Sequence, residues 1–205
     1  MSCHRHPRMR STAGPTWRRR VGTASGATLL VVTLTACGGQ AGSPDREASD
    51  VDARFASAMT QHHAQTLQLL NLPQTLQLGD KAVAWTDSSR TERMAEIEEL
   101  SALLREWGED VPDTGLDHAS EGDLVEFDVS IDGVLTAGEV SQIRRAEGEA
   151  FAEEWFGAFL EHERGALALA QAQVEVGADE AAVRFAEQDV ERHEQLIKTL
   201  ERLAE

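Results

Sequence analysis

The sequence predicts an all-α protein: a four-helix bundle made of two related hairpins with a long crossover between them. Three observations carry this. Apolar residues recur at three- and four-residue spacing along four long stretches. Helix start and stop signals bracket those stretches. The first half also recurs in the second at a constant offset of 100 residues, so that Phe55, Met59 and His62 answer to Trp155, Phe159 and His162. In the partner helices Val83, Trp85, Ile97 and Leu100 answer in the same way to Val183, Phe185, Ile197 and Leu200.

The bundle is expected over residues 50–205, and what precedes it reads differently. Residues 1–36 contain Arg5, Arg8, Arg10, Arg18, Arg19 and Arg20, no acid, and then a small-residue apolar run ending Leu34-Thr35-Ala36-Cys37. A basic start, a short apolar stretch and small residues before a break are the marks of an export signal. The run is too short and too diluted by Thr, Gly and Ser to span a bilayer. Leu-Thr-Ala-Cys resembles a bacterial lipobox, which implies lipidation of Cys37 and anchoring to the outer face of the cell membrane. Residues 37–49, rich in Gly, Ser and Pro, read as a flexible tether. With Cys3 in the signal and Cys37 lipidated, the folded domain has no thiol for a disulfide or a thiolate metal site.

The first helix is expected from Asp50 or Asp52, as N-cap, to about Asn71, with Pro73 ending it. The second runs from about Asp80 to Trp107 before Gly108, with Trp85, Ser89, Glu96, Leu100, Leu103 and Trp107 on its inner face. Residues 109–135 break the pattern and form the crossover, including a short alternating run, Phe127 to Ile131. Thr136-Ala-Gly-Glu139 is a capping box opening a third helix to about Val176, with Gly148 and Gly157 as places to bend or split. The fourth follows Gly177-Ala178-Asp179 and turns Phe185, Val190, Ile197 and Leu200 inward. Two hairpins with a long crossover give the ferritin-like version of a four-helix bundle.

These motifs resemble a secreted bacterial family, domain of unknown function family 305. The resemblance rests on Asp52, Phe55, Met59 and His62-His63 in the first copy, with Glu96-Ile97 in the partner helix. In the second copy it rests on Phe151, Trp155, His162-Glu163 and Gly165-Ala166-Leu167, preceded by the Gly133 to Glu139 run. It implies a ferritin-like fold and, from some members, periplasmic copper binding through Met and His. The chain departs from the pattern at Glu163, Phe159, Ala152 and Leu196, and at Arg93 and His193, which stand where the family has Gln. Only Met59 and Met94 follow residue 36, which argues against a methionine-based Cu(I) store.

The candidate metal residues are His62, His63, Glu96, His162, Glu163 and His193, an inward set drawn from all four helices. Imidazole with carboxylate suits a transition-metal ion such as Zn or Cu(II). The same residues also suit a buried polar network without any ion, with Arg93 and His193 pairing the acids. A catalytic di-metal centre requires Glu-x-x-His pairs; after Glu96 the fourth residue of that motif is Glu99, and Asp189 and His193 are spaced i, i+4. The motif fails, and no nucleophile elbow or phosphate loop replaces it, so the protein is not expected to be an enzyme. Asp128, Ser130, Asp132 and Glu139, with Gly133, match the oxygen positions of a calcium loop, although a turn and the capping box explain them as well. His118, in the crossover, has no assigned role.

Removing the six arginines of residues 1–36 leaves 13 basic against 36 acidic residues, a net charge of −23. Such a surface repels nucleic acid. The expected function is transition-metal sequestration or homeostasis outside the cytoplasm. The competing expectation is a non-catalytic helical scaffold with a metal-free polar core that acts through a protein partner.

Overall fold

A computed structural model describes residues 49–115 and 126–204. The expected signal segment, the tether up to residue 48, Cys37 and His118 lie outside the described residues. Helix α1 spans Asp50–Leu70. Its cap is Ser49 rather than Asp50 or Asp52: the Ser49 hydroxyl accepts the Asp52 N–H at 3.3 Å, while the Asp52 carboxylate accepts the Ser49 N–H at 3.0 Å. Asp52 thus closes a capping box from inside the helix. Its carboxylate is buried and also accepts from Gln173 Nε2 at 2.6 Å and from the Ala178 and Asp179 N–H groups at 3.0 and 3.1 Å. The start of α1 is therefore fastened to a connection 126 residues away in sequence.

Asn71 ends α1, and Pro73–Gln77 forms a short 3₁₀ turn. Helix α2 spans Asp80–Trp107 and closes on Gly108. Its inner stripe runs through Ser89, Arg93, Glu96, Leu100 and Leu104; Leu103 and Trp107, expected on that stripe, are only half-buried. The third predicted helix is in fact two. Helix α3, Ala137–Arg145, opens with the Thr136–Glu139 capping box, and α4 spans Gly148–Val176. Between them Ala146 and Glu147 are extended, and Gly148 turns the chain at φ +58°, a conformation suited to glycine. Gly157 continues α4 without a break. Asp179 caps α5, Glu180–Leu203, by accepting from the Ala181 and Ala182 N–H groups.

Helices α1 and α2 form one hairpin and α4 and α5 the other, with α1 packed on α4 and α2 on α5. The interior is layered. One apolar layer gathers Leu69, Leu70, Phe151, Trp155, Phe159 and Leu200, the other Phe55, Met59, Leu100, Leu104 and Phe185. The duplication is visible in space: Phe55 meets Phe185 edge-on at 6.2 Å, and its counterpart Trp155 meets Trp85 at the same 6.2 Å. Such large buried side chains contribute about 1.5–3 kcal/mol each. Between the two layers every long helix contributes polar residues.

The described end of the crossover braces this middle layer. Gln65 binds the Leu135 backbone both ways, its Nε2 donating to the carbonyl at 2.8 Å and its Oε1 accepting the N–H at 2.7 Å. Phe127 and Val134 pack on Ala64, Leu67 and Ile97 instead of forming a strand. Gly133 and Gly165 let the crossover lie directly on α4: a Cβ on Gly165 would stand 2.1 Å from the Asp132 carbonyl oxygen. Among the described residues no helix is long and apolar enough to cross a membrane.

Candidate metal centre

Neighbouring residues on a helix diverge by about 100°, so His62 and His63 point to different places. His62 stacks on His162, ring centroids 3.8 Å apart and planes inclined by 22°. His63 faces His193 on α5 at 5.8 Å. All four are fully buried.

His162 is committed to hydrogen bonds at both nitrogens. The Gly133 carbonyl, 2.9 Å from Nδ1, can only accept, so Nδ1 carries the proton and Nε2 accepts from the Thr66 hydroxyl at 3.0 Å. Neither nitrogen of His62 meets a described group with hydrogen-bond geometry. Burial, the dominant influence, holds the pKa of both rings below the usual histidine value. Of the six residues singled out in the sequence, these two form a neutral stack on one side of the layer.

The other four gather around a residue that the sequence reading passed over, Asp189. His193 Nδ1 lies 2.6 Å from Glu163 Oε2, and its Nε2 lies 3.2 Å from Asp189 Oδ2. His63 Nε2 lies 3.9 Å from the same Asp189 oxygen and 3.5 Å from Glu96 Oε2. His63, Asp189 and His193 each present a ligand atom within 4.8 Å of the others, and all three residues are buried. Their inward atoms, His63 Nε2, Asp189 Oδ2 and His193 Nε2, meet no described group with hydrogen-bond geometry. Buried polar atoms left so are costly. Asp189 had one signal in the sequence, its i, i+4 spacing to His193, which puts both on one face of α5.

Two arginines complete the surroundings. Arg93 Nε lies 2.9 Å from Glu96 Oε2, and Arg93 reaches His63 Nδ1 at 3.4 Å. A guanidinium only donates, so His63 Nδ1 is the acceptor and the neutral ring carries its proton on Nε2. Arg192 bridges Glu96 Oε1 and Asp189 Oδ1, both at 3.3 Å. Burial favours the neutral ring of His193, but Asp189 and Glu163 overcome it and raise its pKa to about 9. Burial pushes Glu96 up to about 7 against the pull of Arg93. Burial also acts to raise the Glu163 pKa, but His193 wins and keeps that carboxyl low. Burial and then Arg93 push His63 well down.

The donor set could hold a metal ion: two imidazoles and an aspartate converge, with Glu96 beside His63. Glu163 accepts the outer N–H of His193, the arrangement that aims a histidine at a metal. Arg93 is the discordant group, because a metal on His63 Nε2 needs the proton on Nδ1, where Arg93 now donates. Met59 belongs to the apolar layer beneath and Met94 is exposed on the outer side of α2, so neither serves the cluster. Of the calcium-loop residues, Asp128 Oδ1 accepts the Ser130 N–H at 2.9 Å and Glu139 is turned to Thr136, its Oε2 accepting from both N–H and hydroxyl at 2.8 Å. Among the described residues the His63, Asp189 and His193 group is the one constellation of three or more His, Cys, Asp or Glu with metal-holding spacing.

The fold and the cluster define an all-helical bundle with a buried histidine and carboxylate centre. The model of the family called domain of unknown function (DUF305) matches residues 52–204, and the chain belongs to that family. Two solved structures of family members are similar. One, named as a candidate secreted protein from Streptomyces coelicolor, is 19% identical with a TM-score of 0.60, over 73% of this chain and 89% of that one. The other, a fragment from Deinococcus radiodurans, is also 19% identical with a TM-score of 0.60, over 77% of this chain and 97% of that one. At this identity the likeness speaks for the fold alone. No curated protein matches the sequence.

Proposed function

We propose that the protein binds a divalent transition-metal ion of the zinc or copper type at His63, Asp189 and His193, and serves in metal sequestration or homeostasis. Glu96 is the additional oxygen donor and Glu163 the residue that orients His193. The observation carrying this reading is the convergence of three buried ligand atoms within 4.8 Å of one another, joined at 3.2 and 3.9 Å through Asp189. Within it the protein is a binder without catalytic turnover, because Glu99 stands where the Glu-x-x-His of a di-metal centre needs its histidine and Arg93, one turn before Glu96, is a cation that repels a metal. It works outside the cytoplasm, held to the outer face of the bacterial membrane by lipid on Cys37. The sequence of residues 1–37 supports this setting, as does the naming of the Streptomyces coelicolor relative as a candidate secreted protein.

The test is metal analysis and calorimetric titration with Zn(II) and Cu(II), using protein prepared without chelators or a metal-affinity tag. A single bound ion that is lost in the His63→Ala/His193→Ala variant and kept in His62→Ala/His162→Ala is the expected result. Wild-type protein that carries no metal, and melts at the same temperature with and without either ion, would leave the metal-free scaffold as the function.

A further inference from the structure

His63, Asp189 and His193 are fully buried, so an ion needs a way in. Glu96 has a side-chain exposure of 7% and Arg192 one of 33%, which makes Arg192 the most exposed group touching the cluster. Outside it lies a groove of about 500 Å³ between α2 and α5, lined by Glu92 and Arg93 from one helix and by Gln188, Glu191, Arg192 and Gln195 from the other. The Arg192 guanidinium sits between this groove and the carboxylates. It spans from α5 to Glu96 on α2, holds Asp189 on its own helix, binds Gln188 at 2.9 Å and lies 5.6 Å over the Phe185 ring.

The geometry points to Arg192 as a gate: the groove between α2 and α5 is the route by which a divalent cation reaches the buried cluster, and Arg192 must swing outward to admit it. This rests on the metal-binding reading. The latch is made of two 3.3 Å contacts to partners that are also ligand candidates, so moving one side chain both opens the path and frees Asp189 Oδ1, while Glu96 Oε1 keeps its 3.2 Å bond from Arg93. A half-exposed arginine on a long stem makes that motion without unfolding the helix that carries it. Glu92 and Glu191 at the rim give an arriving cation oxygen partners before the gate. Arg93, buried and paired to both oxygens of Glu96 at 2.9 and 3.2 Å, stays in place while Arg192 moves.

The test is stopped-flow loading of the full-length chain with zinc ion alone, followed by release to a chromophoric chelator. Arg192→Gln is expected to load and release zinc about tenfold faster or more, the scale set by losing a charge-assisted latch, while the number of bound ions stays the same. Gln195→Trp, which fills the groove outside Arg192, is expected to slow both steps. Wild-type rates in Arg192→Gln overturn the gate and leave the metal site standing. If Arg192→Gln does not fold, Gln195→Trp decides, and unchanged rates there overturn the route. Wild-type protein that takes up no zinc overturns the gate together with the metal reading, a result distinct from unchanged rates.

Discussion

Glu163 shows how one carboxylate acts through its neighbour. It accepts from His193 Nδ1 at 2.6 Å and so turns the opposite nitrogen toward Asp189 and His63. Glu163→Gln keeps the volume and removes the charge, and is expected to weaken zinc binding by about 10–100-fold. Competition against a chelator of known affinity measures this, and circular dichroism should show the helices retained. Which histidine does what could not be read from the chain. His62 and His63 are adjacent letters with similar prospects, and only the register of α2, α4 and α5 against α1 gives one a stacking partner and the other two carboxylates. All six candidates are buried, His63 at the edge of the α1 face included. Asp189 escaped because its spacing to His193 was weighed against a Glu-x-x-His pattern rather than as a pair in its own right. Arg192 carries no such mark in the sequence, since an arginine on a helix flank is ordinarily solvated.

The elements meet at a few fastenings, and two glycines of α4 separate packing from propensity. Gly157 faces open space, so Gly157→Ala is expected to stabilise the protein by about 0.5–1 kcal/mol through helix propensity. Gly165→Ala must push the crossover off α4, since the new methyl would meet the Asp132 and Gly133 backbone at 2.1–2.6 Å; it is expected to cost about 1–3 kcal/mol or more. Urea denaturation of the two variants should move in opposite directions. Asp52→Ala removes the carboxylate that joins α1 to the α4–α5 connection and is expected to cost about 3 kcal/mol or more, read in the same way. At this scale the sequence was largely legible: the Thr136–Glu139 box, the Gly108 stop and the long helices follow from local chemistry. The break before Gly148 was legible only as an option, because a glycine inside a helical pattern bends the chain or not according to what packs beside it. The same holds for Ser49, whose neighbours Asp50 and Asp52 are equally good caps until Asp52 is drawn to Ala178.

For the molecule as a whole, the middle layer sets how stability responds to pH. In the metal-free protein His193 has a folded pKa of about 9, above its usual 6.5, so its contribution is complete below 6.5 and lost as pH rises through 9. Glu96, raised from 4.5 to about 7, adds to the same decline between those values, because the folded state favours its protonated form. Asp52, Glu163 and the buried rings of His62, His63 and His162 are held low, and their contributions are lost as pH falls below 3.8, 4.5 and 6.5 respectively. Thermal melts of metal-free protein should therefore peak on the acid side of neutrality and fall toward pH 9. Zinc should move the peak upward, since it competes with the His193 proton, and titration in two buffers of different ionisation heat should show proton release. The paired aromatics meeting at 6.2 Å mark how closely the two halves still correspond in shape. Beyond His62 and His162 their buried polar residues do not correspond: His63 answers to Glu163, Arg93 to His193, Glu96 to Leu196 and Ser89 to Asp189. In an association of two identical hairpins each of these residues would be present twice, once in each half. Carrying both hairpins on one chain let the copies diverge, so that Arg192 and His63 could each reach a carboxylate on the other half.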